Sequence, residues 1–166
     1  YRELPMEHIE GELERVRNLG GNPKHVFLGD GNAFGLDTGR LLKITDLIHR
    51  YFPDCCAINM DATVTNIRAK SQEELQALRA AGIRHLYLGI ESGLDDVLVR
   101  MEKDHNLDQA YRQIDRIQNA GFIYDAHIMT GIAGHGRGRE NAYATAEFFN
   151  RTRPRRVINF SLFLSH

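Results

Sequence analysis

Val26-Phe27-Leu28-Gly29-Asp30-Gly31-Asn32-Ala33-Phe34, VFLGDGNAF at residues 26–34, is the stretch that decides how the chain is read. Three apolar residues run into a turn built from two glycines, a carboxylate and an amide. A short apolar run bounded by turn formers reads as a buried strand, and its polar end reads as a place where something is held. Glycine allows the backbone to turn tightly and to approach a ligand closely. Asp30 offers an acceptor, and Asn32 both a donor and an acceptor. Two readings stay open for this end: an Asx-rich turn, or a site for the amino group or hydroxyls of a ligand.

Outward from this strand, helical and strand patterns alternate. About Pro5 to Leu19 reads as a helix closed by Gly20-Gly21. After HVFLG, Asp37 or Thr38 can cap a helix carrying Leu41, Leu42, Ile44, Leu47 and Ile48, which ends before Pro53. CCAINMDA is the second strand. Ser71 and Glu74 form a capping box for a helix with Leu75, Leu78 and Ala81 on one stripe. HLYLGIE is the third strand, followed by a helix over Leu94 to Met101. Asn106 caps a helix with Leu107, Tyr111, Ile114 and Ile117 on its apolar stripe. FIYDAHIMTG, the helix RENAYATAEFFNRT and the strand RVINFSLFL complete the pattern.

Five strands alternating with helices predict an α/β protein with a parallel sheet, either doubly wound or part of a (β/α) barrel. In both, function sits at the C-terminal ends of the strands. The segments to examine are therefore Gly29 to Asn32, Asp61 to Thr65, Glu91 to Gly93, Thr130 to Gly138, and Ser161 onwards. Glu91 ends an apolar strand, where an unpaired polar group is expensive; it reads as a ligand contact or, with Ser92, as a helix cap. DAHIMTGIAGHGRGRE has glycines at 131, 134, 136 and 138, a spacing that is not the Rossmann fingerprint. Asp125 and His127 share a strand face, and with His135 could make a metal set; a hydrogen-bonded strand histidine is the plainer reading, and no metal ligand is assigned.

Composition narrows the class. The 166 residues carry a formal net charge of -1 with 26% charged side chains, which leaves no broad electrostatic footprint for nucleic acid. No apolar run approaches the roughly 18 residues that span a bilayer, and YRELPMEHIE does not read as a signal peptide. The cysteines, Cys55 and Cys56, are adjacent, which suits two buried thiols at a strand start rather than a disulfide framework, and a reducing cytoplasm. RTRPRR reads as a solvated helix end.

Taken in order, the strand ends resemble the radical S-adenosylmethionine (SAM) superfamily, in particular the core shared by Elp3-like proteins and relatives of oxygen-independent coproporphyrinogen oxidase. The resemblance covers essentially the whole chain. It implies a partial (β/α) barrel of the TIM-barrel type and a 4Fe–4S cluster on a C-x3-C-x2-C loop. It also implies reductive cleavage of SAM to a 5′-deoxyadenosyl radical that acts on a substrate. VFLGDGNAF looks like the second-strand GGE motif, so Gly29, Asp30, Gly31 and Asn32 would receive the methionine amino group. YLGIESG looks like the fourth-strand motif, with Glu91 and Ser92 facing the ribose or the methionine end. MTGIAGHGRGRE looks like the fifth-strand G-x-I-x-G-x-x-E motif that packs on adenine; Ile132 and Gly134 fit, while Thr130 replaces the first glycine and Glu140 comes three residues late. INFSLFL looks like the sixth strand.

C-x3-C-x2-C is absent, and Cys55 and Cys56 sit at the wrong end of a strand and are too few to replace it. The expectation is a core fragment over residues 1–166, from just after the cluster loop through the sixth strand, with both ends cut and the cluster ligands outside the chain. The whole enzyme would draw electrons from a flavodoxin- or ferredoxin-type reductant. Its substrate, small or macromolecular, is left open, with nucleic acid and membrane not expected. An unpaired edge at HVFLG would make the isolated piece self-associate. Two rivals stand beside this: a metal-dependent hydrolase or lyase barrel using His127, Asp61 and Glu91, and a non-catalytic SAM- or nucleotide-binding module.

Overall fold

The computed structural model describes the backbone of residues 3–29 and 31–162 and the side chains through residue 158. Asp30 and the side chain of Ser161 lie outside the described residues. Five strands, β1 (His25–Leu28), β2 (Ala57–Ala62), β3 (Ile83–Glu91), β4 (Ile123–Thr130) and β5 (Arg156–Leu162), form one sheet in the order β1-β2-β3-β4-β5. Every pairing is parallel. A doubly wound sheet reverses its strand order part-way. Here the order never reverses, so right-handed crossovers put the intervening helices on one face only. That is the arrangement of a partial barrel, and it settles the choice the alternation left open.

Seven α-helices accompany the strands among the described residues: α1 (Met6–Asn18), α2 (Thr38–Tyr51), α3 (Val64–Arg68), α4 (Gln72–Ala80), α5 (Asp95–Arg100), α6 (Leu107–Asn119) and α7 (Gly138–Thr152). Local signals place most of their starts. Asp37 accepts from the Arg40 amide, and reciprocal capping boxes join Ser71 to Glu74 and Asn106 to Gln109. The helix α3 was not expected; Thr63 and Asn66 start it with a third such box.

One face of the sheet is the core. Ile58, Met60, Leu86, Leu88, Ile90, Tyr124 and Ala126 pack against Leu41, Ile44 and Ile48 of α2, Leu75 and Leu78 of α4, Ile114 and Ile117 of α6, and Phe148 of α7. Phe27, Asn59, Asp61, His85, Tyr87, Gly89, Asp125 and His127 alternate with the core residues and occupy the other face. Aromatic rings tile part of it. His85 stacks on Tyr87 at 4.6 Å, and Phe27 and His127 meet Tyr87 edge-on at 5.3 and 6.0 Å. Deeper on this face Asp125, fully buried, accepts from Arg156 Nε at 3.0 Å and lies 3.1 Å from His85 Nε2.

Two expectations are corrected. Cys55 is buried but Cys56 is exposed, its Sγ 3.2 Å from the Lys24 carbonyl oxygen. Adjacent residues entering a strand point to opposite sides, so both could not enter the core. The RTRPRR segment is also more than a solvated helix end. Arg151 stacks 3.8 Å over the Tyr111 ring, and Arg156 serves Asp125.

Candidate functional site at the strand ends

The parallel pairing brings the ends of β1, β2, β3 and β4 to one edge of the sheet. Gly29, Gly31 and Asn32 follow β1, Asp61 is the penultimate residue of β2, Glu91 ends β3, and Gly131 follows β4. Leu28 pairs with Met60, Asp61 with Tyr87, and Gly89 with His127, so these positions lie within a few residues of one another in register.

Glu91 is held by an irregularity. The β3–β4 register shifts between Gly89 and Glu91, and Glu91 adopts a left-handed backbone with φ 63°. For a non-glycine residue this conformation is uncommon. It folds the carboxylate back over the open face: a Cβ at position 89 would stand 2.7 Å from Glu91 Oε1. Glycine at 89 therefore makes room for this carboxylate. Lys103 Nζ, from the segment after α5, closes on the same oxygen at 2.8 Å. No pattern in the sequence pointed to Lys103.

The electrostatic neighbour of Asp61 is His127. Burial pushes its carboxyl above the ordinary carboxylate range, and the nearby His127 pulls it partly back. The open face thus carries a partly desolvated carboxylate at Asp61, a half-buried imidazole at His127, and the Glu91–Lys103 pair.

Ser92 turns the other way. It is fully buried, donates to Asn141 Oδ1 of α7 at 2.5 Å, and accepts from the Leu94 amide at 3.1 Å. Gly93 N–H donates to Thr145 Oγ1 at 2.9 Å, and a Cβ on Gly93 would stand 2.5 Å from backbone atoms of Ala144 and Thr145. Ser92 and Gly93 therefore staple the exit of β3 to α7. Ile132 is also buried, in a small cluster with Val97 and Ala133 that is separate from the main core. Gly134 sits in the turn beyond it, and Glu140 pairs with Arg137 at 2.7 Å. A cleft of about 330 Å³ opens beside these elements, bordered by Glu91, Thr130, Gly131, Ala133, Asn141 and Phe149.

The chain as a whole matches known proteins. A family model described as the radical SAM superfamily matches residues 1–149. The chain belongs to the radical SAM superfamily. Proteins of this superfamily use SAM and a 4Fe–4S cluster. Among curated proteins, the chain is 27% identical over 129 residues to the heme chaperone HemW of Bacillus subtilis (strain 168), covering 76% of this chain and 34% of that protein. Among solved structures it superposes on coproporphyrinogen III oxidase (HemN) from Escherichia coli, described as a radical SAM enzyme. The TM-score is 0.76 at 17% identity, over 95% of this chain and 36% of that one. Methylornithine synthase (PylB) matches with a TM-score of 0.71 at 18% identity, over 98% of this chain and 45% of that one. The chain thus spans about a third of the HemW relative's length, and the structural likenesses establish the fold.

The two cofactors fare differently against these residues. The strand-end carboxylates, amide and glycines suit the ammonium and hydroxyls of SAM. Cys55 and Cys56, before β2, stand at the opposite end of the sheet from this edge, and one thiol is buried while the other is exposed. They do not fit a cluster. No group of three or more His, Cys, Asp or Glu side chains is placed to hold a metal ion among the described residues.

Proposed function

We propose that residues 1–166 form the SAM-binding portion of the core domain of a radical SAM enzyme, with the cluster ligands outside this chain. The observation that carries this reading is the convergence of Asn32, Asp61, Glu91 and Gly131 on one edge of a parallel sheet whose opposite face is closed by helices. The cluster, when bound, supplies the electron for reductive cleavage of SAM to a 5′-deoxyadenosyl radical. The residues of this chain bind and orient. Gly29, Asp30, Gly31 and Asn32 receive the methionine amino group. Asp61 adds an acceptor beside His127. Glu91 faces the ribose or methionine end with its carboxylate steadied by Lys103. Ser92 acts through the backbone it fixes, and the Gly131–Gly134 turn, with Ile132 as its buried anchor, borders the adenine.

A reductant is implied by the family, and we assign it to the flavodoxin or ferredoxin class. The substrate approaches the open face across Tyr87 and His127. No described helix is long and apolar enough to cross a membrane, and we place the protein in the cytoplasm.

Isothermal titration of SAM into the full-length, cluster-loaded protein tests this. Replacing both Asp61 and Glu91 by their amides removes two charge-assisted acceptors, each worth about 1.5–3 kcal/mol. Affinity should fall by at least about tenfold. Unchanged affinity in the double variant would place SAM elsewhere.

A further inference from the structure

The segment leaving β3 and the segment leaving β4 are joined by a reciprocal pair of charged contacts, and Glu91 and Gly131 stand at the roots of those segments. Asp96 and Arg100 are one turn apart on α5 and so share a face. Arg100 Nη2 donates to the Ile132 carbonyl oxygen at 2.6 Å. In the other direction Arg137, at the far end of the glycine-rich loop, gives Nη2 to Asp96 Oδ1 at 3.2 Å and binds the other oxygen through Nη1. Arg137 is itself fixed by Glu140. The helix thus offers a cation to the loop's carbonyl and a carboxylate to the loop's cation.

Between these contacts Val97 of α5 packs on Ile132 and Ala133. This small apolar cluster is distinct from the core under the sheet and adds to the spacing that the β3–β4 pairing and the Ser92–Gly93 contacts with α7 begin. Asp96 and Glu140 titrate below the ordinary carboxylate range because Arg137 hydrogen-bonds both. The contacts therefore persist through neutral pH.

We propose that Arg100, Asp96 and Arg137 are positioning residues that fix the width of the cleft between Glu91 and the Gly131–Ala133 turn, and with it the fit of SAM. The proposal rests on the SAM reading given above. The three side chains touch the ligand through neither segment; they hold both at one separation. Cation-to-carbonyl bonding suits this task, because it immobilises backbone and leaves the cleft lining free for ligand.

The full-length, cluster-loaded protein is compared with Arg100→Met, which keeps the stem and removes the donors, and with Arg100→Lys. Asp96→Asn reads the other half of the pair should Arg100→Met fold poorly. Three quantities are measured: SAM affinity by calorimetry, thermal midpoint, and amide hydrogen exchange over residues 92–101 and 131–137 without ligand. Arg100→Met should weaken SAM about tenfold. It should also raise exchange in both segments together and leave the thermal midpoint nearly unchanged. Lysine should restore most of the affinity. The loss should be less than additive with Glu91→Gln, because a misplaced wall weakens what Glu91 contributes. Normal SAM affinity in Arg100→Met, or looser exchange in one segment alone, overturns the proposal while leaving the SAM reading intact. A wild-type protein that does not bind SAM overturns both.

Discussion

The two faces of one sheet obey different rules. On the helix side, alternate residues of β2, β3 and β4 are aliphatic or aromatic and almost wholly excluded from solvent. On the other side the same strands present Asn59, Asp61, His85, Tyr87, Asp125 and His127. Parallel sheets are usually covered on both faces, and their strands read as continuous apolar runs. A parallel sheet with one apolar and one polar face is therefore built to keep one face for something other than its own core. Binding belongs to the face where burial of polar groups is tolerated without complete pairing.

Substitutions on the two faces test this contrast. The largest effect belongs to the closed face. Leu86→Ala removes a fully buried side chain and should cost about 2–5 kcal/mol in urea unfolding. Phe27→Ala on the open face, where Phe27 is 50% exposed, should cost less than about 1 kcal/mol. Comparable losses from the two would mean that the open face is a second core.

Gly93→Ala comes next. Its methyl would be driven into the backbone of Ala144 and Thr145, an overpacking of about 1–3 kcal/mol. Calorimetric melting should show the loss, accompanied by weaker SAM binding as α7 shifts. A neutral result would mean the close approach of β3's exit to α7 is not needed.

Asp61→Asn should act in the opposite sense. Burial raises the Asp61 carboxyl, so the fold holds its proton more tightly than the unfolded chain does, and this residue's contribution to stability declines as pH rises past the ordinary carboxylate value. At neutral pH the amide should raise the melting temperature by about 2–4 °C while SAM affinity drops. Gain of stability without loss of affinity would assign Asp61 to neither face's work.

The smallest effect is a pH dependence. Burial lowers His85, against the opposing pull of Asp125, and burial with Lys103 lowers His105. A lowered histidine is bound by protons more readily when unfolded. Its contribution is thus complete above the ordinary value of about 6.5 and is lost as pH falls through it toward the lowered folded value. Melting temperature should drop between pH 7.5 and 5.5, and His85→Gln should flatten part of that slope. An unchanged slope would remove His85 from the account.

The sequence exposed what is local. Ser71 and Asn106 could be placed as caps, and Asp37 or Thr38 for α2, because such partners lie within the first turn. Parallel strands followed from the βα alternation, but their order in the sheet did not, since alternation alone fits a doubly wound sheet as well as a barrel. The site was only half legible. Glu91 stood out as a carboxylate ending an apolar strand, but its orientation depends on a left-handed turn and on Lys103, twelve residues away across a helix. Ser92 looked equally suited to a ligand, yet its partner is Asn141, 49 residues downstream, and no spacing rule reports that. The α3 helix escaped because its cap uses asparagine at the third position, where glutamate or glutamine is the usual signal.

The order of the strands in the sheet repeats their order along the chain. Each strand therefore finds its neighbour one βα unit back and never has to be threaded between two strands already joined. Loop closure for each addition spans only a few tens of residues and costs correspondingly little entropy. A polypeptide emerging from the ribosome N-terminus first can lay down this sheet as it is made, each new unit docking on a finished edge, with a template always exposed and waiting for the next.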